Sequence, residues 1–317
     1  MAASNSNGSN VCSLSLVGID IGGTATRFIC VNQSGNVVAK AVLPTPSHLV
    51  EAEAKAFLLR GIDQVLQGRK PGAIGIGASG PIDAQGIVRN PDTLPAFTAV
   101  DIAQPISDKY RVHCMVENDA VAAAFAENRI GSSTGFHSAL MITLGTGVGV
   151  SMIQSGVPVR GADGVHPESG HMTVNPVFGA APCYCGRSVC WEQMASRTSL
   201  QTSASALLSS EGNAIESIGI AHKAALAGDA KALQLFDRYG IAIAQGLANL
   251  LTIYRPPCVV IGGAGAQYFD LFSASLRATL ALQVGVFPDF TLLPATLGDF
   301  GGAIGAALMA NTQNKTA

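Results

Sequence analysis

The sequence predicts an α/β protein made of two similar halves. Three observations carry that expectation. Short apolar runs rich in Val, Ile and Leu alternate with stretches whose apolar residues recur at helical spacing, the pattern of strands covered by helices. The alternation starts again near the middle of the chain. Each half opens on an apolar run broken by a Gly/Thr turn, Gly18–Thr24 in the first and Thr143–Gly149 in the second. Only 13% of the 317 residues are charged while 48% are hydrophobic, against about 25% charged in ordinary soluble domains. Strands buried on both faces would account for that excess.

Taken in order, Leu14–Asp20 reads as a strand ending in Asp-Ile-Gly-Gly-Thr. Thr26–Asn32 and Val37–Leu43 follow as a hairpin around the turn residues Gln33–Asn36. Glu51–Gly68 carries Leu58, Ile62, Val65 and Leu66 at helical spacing and stops at a glycine. Ala73–Ser79 and Val112–Val116 are buried strands. The second leads through Glu117-Asn118-Asp119 into an Ala-rich helix reaching Asn128. In the second half, Ser138–Thr143 and the run to Ile153 flank the glycine turn, and Gly156–Val189 is irregular. Helices are expected over Trp191–Leu208, Ile218–Ala227 and Asp229–Ile253, the last stopped by Pro256-Pro257. Cys258–Ile261 is a strand entering Gly262–Gly265, Phe269–Leu282 a helix, Leu292–Leu297 a strand and Gly302–Asn311 a helix of small residues.

Composition narrows the function. A chain this apolar and poor in charge is not disordered. A net charge of −2 leaves no electrostatic footprint for nucleic acid or anionic lipid. The most apolar stretches, Ser138–Ile153 and Ile241–Tyr254, are broken by Gly and Thr or by Gln245 and Asn249. They fall short of the ~20 apolar residues of a membrane span. Residues 1–13, small and polar, read as a disordered leader and not a secretory signal, so a cytoplasmic location is expected. Seven cysteines, an odd number, argue against a disulfide scaffold. Cys12, Cys30, Cys114 and Cys258 read as inert thiols.

The remaining segments bear chemistry. Glycine turns after strands let backbone N–H groups approach phosphate oxygens. Gly22, Gly23 and Thr24, then Gly145, Thr146 and Gly147, then Gly263 and Ala264 form three such turns. Either hairpin alone could be ordinary; all three together point to a bound phosphate chain. Asp20, at a strand end, could hold Mg²⁺. Asp119, at a strand-to-helix junction, could accept the proton of a hydroxyl attacking phosphorus, with Asn118 orienting the acceptor; a plain N-cap role is the alternative. Cys183, Cys185 and Cys190 with His171 make a Cys₃His set, the full complement of a closed structural Zn²⁺ site. Redox cysteines are the alternative there. Glu168 and Glu192 flank this cluster as solvated carboxylates or as hydrogen-bond partners of sugar hydroxyls.

Asp20-Ile-Gly-Gly-Thr24, Glu117-Asn-Asp119, Leu144–Gly149, Glu168-Ser-Gly-His171 and Cys183-x-Cys-Gly-x-x-x-Cys190-x-Glu192-x-x-x-Ser196 occur in the order of the ROK family. The chain resembles that family of sugar kinases and related repressors from about Leu14 to Ala310. The resemblance implies two ribonuclease H-like domains of the actin/hexokinase-like ATPase kind around a nucleotide and sugar cleft. One would span 14–130, rejoined by the C-terminal helix 302–317, and the other 131–301 with the zinc loop. It implies Asp119 as general base. It implies Asn118, Glu168, His171 and Glu192 as sugar ligands, with the loops of Ser79, Gly80, Asn90 and Thr93 beside them. His171, Cys183, Cys185 and Cys190 would hold structural Zn²⁺; the glycine loops would hold ATP with Mg²⁺. The implied activity is ATP-dependent phosphorylation of a hexose or N-acylhexosamine at its 6-hydroxyl, by a homodimer or tetramer.

The alternative within the family is a sugar-sensing regulator without catalysis. Its repressors carry an N-terminal helix-turn-helix, for which the nineteen residues ahead of Asp20 leave no room, so a nucleic-acid partner is not expected. The sequence departs from the family pattern at Ala25, where Lys is common, and at Thr93, Val121, Pro167 (preceded by His166) and Val189. Most of these crowd around the sugar positions, so the preferred sugar is not implied.

Overall fold

The computed structural model describes residues 14–47, 50–177, 182–208, 214–282 and 289–314. The expected leader with Cys12, and the tail 315–317 of the last expected helix, lie outside the described residues. The first sheet begins with β1 (Ser15–Ile21), β2 (Ala25–Val31) and β3 (Val37–Pro44), an antiparallel meander. After α1 (Glu51–Leu66), β4 (Pro71–Ala78) pairs parallel to β1. After α2 (Ala103–Tyr110), β5 (Cys114–Asn118) pairs parallel to β4 and runs directly into α3 (Asp119–Ile130). The strand order is β3-β2-β1-β4-β5.

The second half repeats this plan. β6 (Ser138–Leu144), β7 (Val148–Gln154) and the short β8 (Val157–Pro158) form the meander. Helices α4 (Glu192–Ala195), α5 (Arg197–Leu208), α6 (Ala214–Leu226) and α7 (Ala230–Tyr254) precede β9 (Cys258–Gly262), which is parallel to β6. Then α8 (Phe269–Leu282), β10 (Thr291–Pro294) and α9 (Gly301–Asn314) complete the chain. The order β10-β9-β6-β7-β8 is that of the first sheet with every strand replaced by its counterpart. The duplicated glycine turns therefore occupy equivalent places, β1–β2 and β6–β7.

The two closing helices are exchanged. α3 follows β5 but packs on β6 and β7, whereas α9 follows β10 but packs on β1 and β4, and the two helices lie against each other. A shared core of Leu16, Ala73, Val121, Phe125, Met141, Val260, Ala303 and Ala307 joins the halves. The approach is too close for side chains. A Cβ on Gly75 would sit 1.9 Å from the Ala306 carbonyl oxygen, and one on Gly305 1.7 Å from that of Ala122. The small-residue character of Gly302–Asn311 has its cause here.

Buried Glu127 fastens this crossing. Its carboxylate accepts the backbone N–H of Ser132 at 2.6 Å and those of Thr296 and Leu297 at 2.9 Å. The strand expected over Leu292–Leu297 consequently stops at Pro294, because those two amides are taken by Glu127. The helix expected over Trp191–Leu208 is likewise broken. Ser196 is extended (ψ 158°), its hydroxyl accepts the N–H of Ser199, and the N–H of Arg197 donates to Gly145 O. Helix α2 was not expected, as Pro105 in its first turn masks the pattern; Asp101 caps it at the N–H groups of Ala103 and Gln104. Among the described residues, no helix is long and apolar enough to cross a membrane.

The close approach predicts a contrast between two glycine substitutions. Gly75→Ala is expected to lose about 1–3 kcal/mol or more by overpacking. Gly219→Ala, in α6 with open space around it, is expected to gain about 0.5–1 kcal/mol of helix propensity. Urea unfolding of both variants measures the difference.

Candidate active site and metal centre

Asp119 is the first residue of α3, directly after a buried parallel strand. The N-cap is Asn118, whose side-chain oxygen accepts the N–H groups of Ala120 and Val121. The N-cap position therefore belongs to Asn118, while Asp119 keeps one oxygen on the first turn. Its Oδ1 accepts the Ala120 N–H at 2.8 Å, and its Oδ2 accepts the Ser79 hydroxyl at 2.6 Å. The Asn118 amide donates to Gly80 O at 3.1 Å. Asn90 donates to Ser79 O at 3.1 Å and accepts the Thr93 N–H at 3.2 Å. Gly80 adopts φ 92°, and a Cβ there would strike Asn90. Five of the expected sugar-side residues, Ser79, Gly80, Asn90, Thr93 and Asn118, therefore form one connected cradle around the carboxylate.

This cradle touches the first glycine loop. The Ser79 N–H donates to Ile21 O at 3.3 Å, and a Cβ on Gly23 would meet the Thr93 methyl at 2.8 Å. The loop is shaped by Gly22 N–H to Ala25 O, by Thr45 N–H to Thr24 O, and by the Thr45 hydroxyl donating to Gly22 O at 2.6 Å. Gly23 and Thr24 are exposed. Asp20 sits behind this loop, against Gly302 at the start of α9. Burial, and then the neighbouring Asp119 carboxylate, push the Asp20 carboxyl up to about 7. A half-buried acid beside a second acid, all hard oxygen donors, suits a divalent cation.

The second glycine loop closes with Gly145 N–H on Gly147 O and leaves Thr146 exposed. The third turn abuts it: Gly263 has φ 76°, and a Cβ there would lie within 3 Å of the Leu144 backbone. Ala264 then starts a short 3-10 turn. On its other side the second loop meets Glu192, whose Oε2 leaves no room for a Cβ on Gly147.

Glu192 also reaches the cysteine cluster. Its Oε1 lies 3.2 Å from Cys183 Sγ and 3.5 Å from His171 Nδ1. One ligand atom each from His171, Cys183, Cys185 and Cys190 lie within 4.8 Å of one another. Cys183 N–H to Arg187 O and Gly186 N–H to Cys183 O make the tight turn that gathers the thiols. His171 turns Nδ1 to the sulfurs and Nε2 to the Tyr184 hydroxyl at 2.9 Å, which defines which nitrogen is free for a metal. The donor set and its spacing fit Zn²⁺. His171 N–H donates to Glu168 O, so Glu168 is carried on the same turn. The buried His166 places Nε2 3.1 Å from Glu168 Oε1.

Two features escaped the motif reading. Glu117, quoted only as part of Glu-Asn-Asp, is buried and paired with Arg160 of the loop after β8. The pair ties the strand bearing Asn118 and Asp119 to the loop leading to Glu168. The second is Glu127, whose partners lie far along the chain. Of the scattered thiols, Cys30 and Cys258 are buried and Cys114 is half-buried, and burial pushes Cys114 up to about 12 and Cys258 up to about 11.

The raised Asp20 carboxyl makes a pH-dependent prediction. Folding disfavours its ionised form, so the cost is absent below pH 4, grows as pH rises through the interval to about 7, and is full above it. In buffer free of Mg²⁺, Asp20→Asn should melt above the parent at pH 8, and the gap should close towards pH 5. A constant or reversed gap would contradict the burial of this charge.

Comparison with known proteins agrees with this geometry. The model of the ROK family matches residues 16–313. A glucokinase of Halalkalibacterium halodurans is 31% identical over 95% of this chain and 96% of its own length. The structure of a ROK family glucokinase from Streptomyces griseus, in complex with glucose and AMPPNP, superposes with a TM-score of 0.78 at 28% identity, covering 94% of this chain and 99% of that one. A xylose repressor of Bacillus subtilis is 29% identical over 91% of this chain and 75% of its own length. With two like-ordered five-stranded sheets and helices exchanged between them, the chain has the actin/hexokinase ATPase fold and belongs to the ROK family.

Proposed function

We propose that this chain is an ATP-dependent hexose kinase. The observation that carries the reading is the Asp119 carboxylate, held at a helix start beside the first glycine loop, with one oxygen turned to a hydroxyl. Phosphoryl transfer calls for positioning and charge stabilisation more than for covalent chemistry. Asp119 takes the proton of the attacking sugar hydroxyl, the 6-OH in our reading. Asn118, Glu168, His171 and Glu192 hold the other sugar hydroxyls, and Ser79, Gly80, Asn90 and Thr93 close the wall beside them. The backbone of Gly22–Thr24, Gly145–Gly147 and Gly263–Ala264 cradles the nucleotide. Asp20 would hold Mg²⁺, which supplies charge neutralisation on the phosphates. The 14–130 body with the last helix and the 131–301 body close on each other, which excludes water from the transfer.

Relatives named glucokinase support the hexose class. Glucose is therefore the first acceptor to assay, with an N-acylhexosamine as the second. In our reading His171, Cys183, Cys185 and Cys190 bind Zn²⁺ structurally, since four protein ligands leave no position for substrate. The ion would hold Glu192 against the second glycine loop. The similarity to a repressor favours one other reading, a sugar sensor that binds without turnover.

ADP release measured over a panel of sugars separates the two. Turnover dependent on one sugar is the kinase result; sugar binding with no ADP is the sensor result. Asp119→Ala should reduce sugar-dependent ADP release by at least about 10²–10⁴-fold, with the fold retained by circular dichroism. Near-normal turnover in that variant removes the assignment. The purified protein should contain one equivalent of zinc by elemental analysis, and Cys185→Ser should lose both the metal and thermal stability. Full stability without metal would refute the structural site.

A further inference from the structure

We infer that Ser79 is itself a phosphoryl acceptor when no sugar is present. The inference rests on the kinase reading and adds a second substrate, the enzyme's own serine. The Ser79 hydroxyl donates at 2.6 Å to Asp119 Oδ2. That is the relation an attacking sugar hydroxyl must have to its general base. The hydroxyl aligned on this carboxylate belongs to the protein itself.

Its surroundings favour attack. The Ser79 N–H donates to Ile21 O, so the residue flanks the Gly22–Thr24 loop. It is half-buried, so its hydroxyl is not sealed from the loop it flanks. Asn90 donates to its carbonyl, and the fold around Gly80 leaves no slack against Asn90, so the hydroxyl is held in place. Asp119 Oδ1 is taken by the Ala120 N–H, which leaves Oδ2 as the oxygen that serves serine or sugar. The two acceptors compete for one atom.

The step balances as an ordinary transfer from ATP. Ser79 Oγ bonds to the γ-phosphorus, the bond from that phosphorus to the bridging oxygen breaks, ADP leaves, and the serine proton passes to Asp119. The product is phosphoserine at position 79. It adds about −1.5 to −2 charge next to Asp119 and Asp20 and fills the place of the sugar hydroxyl. The modified enzyme no longer transfers to sugar. A chain holding ATP without acceptor would in this way switch itself off.

The test incubates the full-length protein with Mg²⁺ and ATP, with and without saturating sugar. The peptide bearing Ser79 is then followed by mass spectrometry, and sugar-dependent ADP release is measured on the same samples. The expected result is a time-dependent gain of one phosphate on Ser79, suppressed severalfold by sugar, with transfer activity falling in proportion. The gain should be absent in Ser79→Ala and in Asp119→Asn, the latter a substitution of equal size. Sugar-dependent ADP release with no phosphate on Ser79 overturns the inference and leaves the kinase reading standing. Equal labelling in Asp119→Asn overturns it as well. Phosphoserine at 79, with no turnover of any sugar by protein first shown by mass spectrometry to be unmodified at Ser79, supports the inference and overturns the hexose-kinase reading. Neither signal with any sugar overturns both.

Discussion

The close contact between α3 and α9 is the constraint on which the rest of the molecule depends. Each helix leaves its own half and packs on the sheet of the other, near enough that Gly18, Gly75 and Gly305 can bear no side chain. Asp119 is the first residue of α3, and Asp20 lies against the start of α9. The contact that joins the halves therefore also brings the two acids together. Glu127 holds the far end of α3 to the chain returning from β10.

The site uses few charges, and each is placed by a buried or hydrogen-bonded setting. With Ala25 after the Gly-Gly-Thr turn, the first loop offers backbone N–H groups and the Thr24 hydroxyl and no ammonium. The acids are handled individually. Asp20 is pushed up by burial and by Asp119, Glu117 is paired with Arg160, and Glu127 is saturated by backbone donors. Glu192 connects the cysteine cluster to the second glycine loop. A chain with 13% charged residues can still build a strongly polar cleft, because low dielectric and short distance do the work of number.

What was legible in the sequence was local. Strands buried on both faces read as unbroken apolar runs, and glycine turns, the Asn-Asp junction and the cysteine spacing lie within a few residues of each other. Helix α2 was not legible, since Pro105 and one side-chain cap determine it more than periodicity does. The break at Ser196 was hidden because its cause is the tie from Arg197 to the distant Gly145. Glu117 with Arg160, 43 positions apart, and Glu127 with Thr296, 169 positions apart, carry no spacing signal at all. The exchange of α3 and α9 was equally invisible: a helix's apolar face says that it must be covered, never by which sheet. Ser79 was read only as a wall of the sugar site; its bond to Asp119 needed three dimensions.

In the proposed kinase, Asp119 faces the reacting hydroxyl across from phosphates held by the glycine loops. A crystal structure of this chain with glucose and a non-hydrolysable ATP analogue tests it most directly. The Asp119 carboxylate is expected within about 2.6–3.2 Å of a sugar hydroxyl. That hydroxyl should be in line with the γ-phosphate, and the Ser79 hydroxyl displaced from Oδ2. A sugar bound away from Asp119, or phosphates held outside the Gly22–Thr24 and Gly145–Gly147 loops, would contradict it.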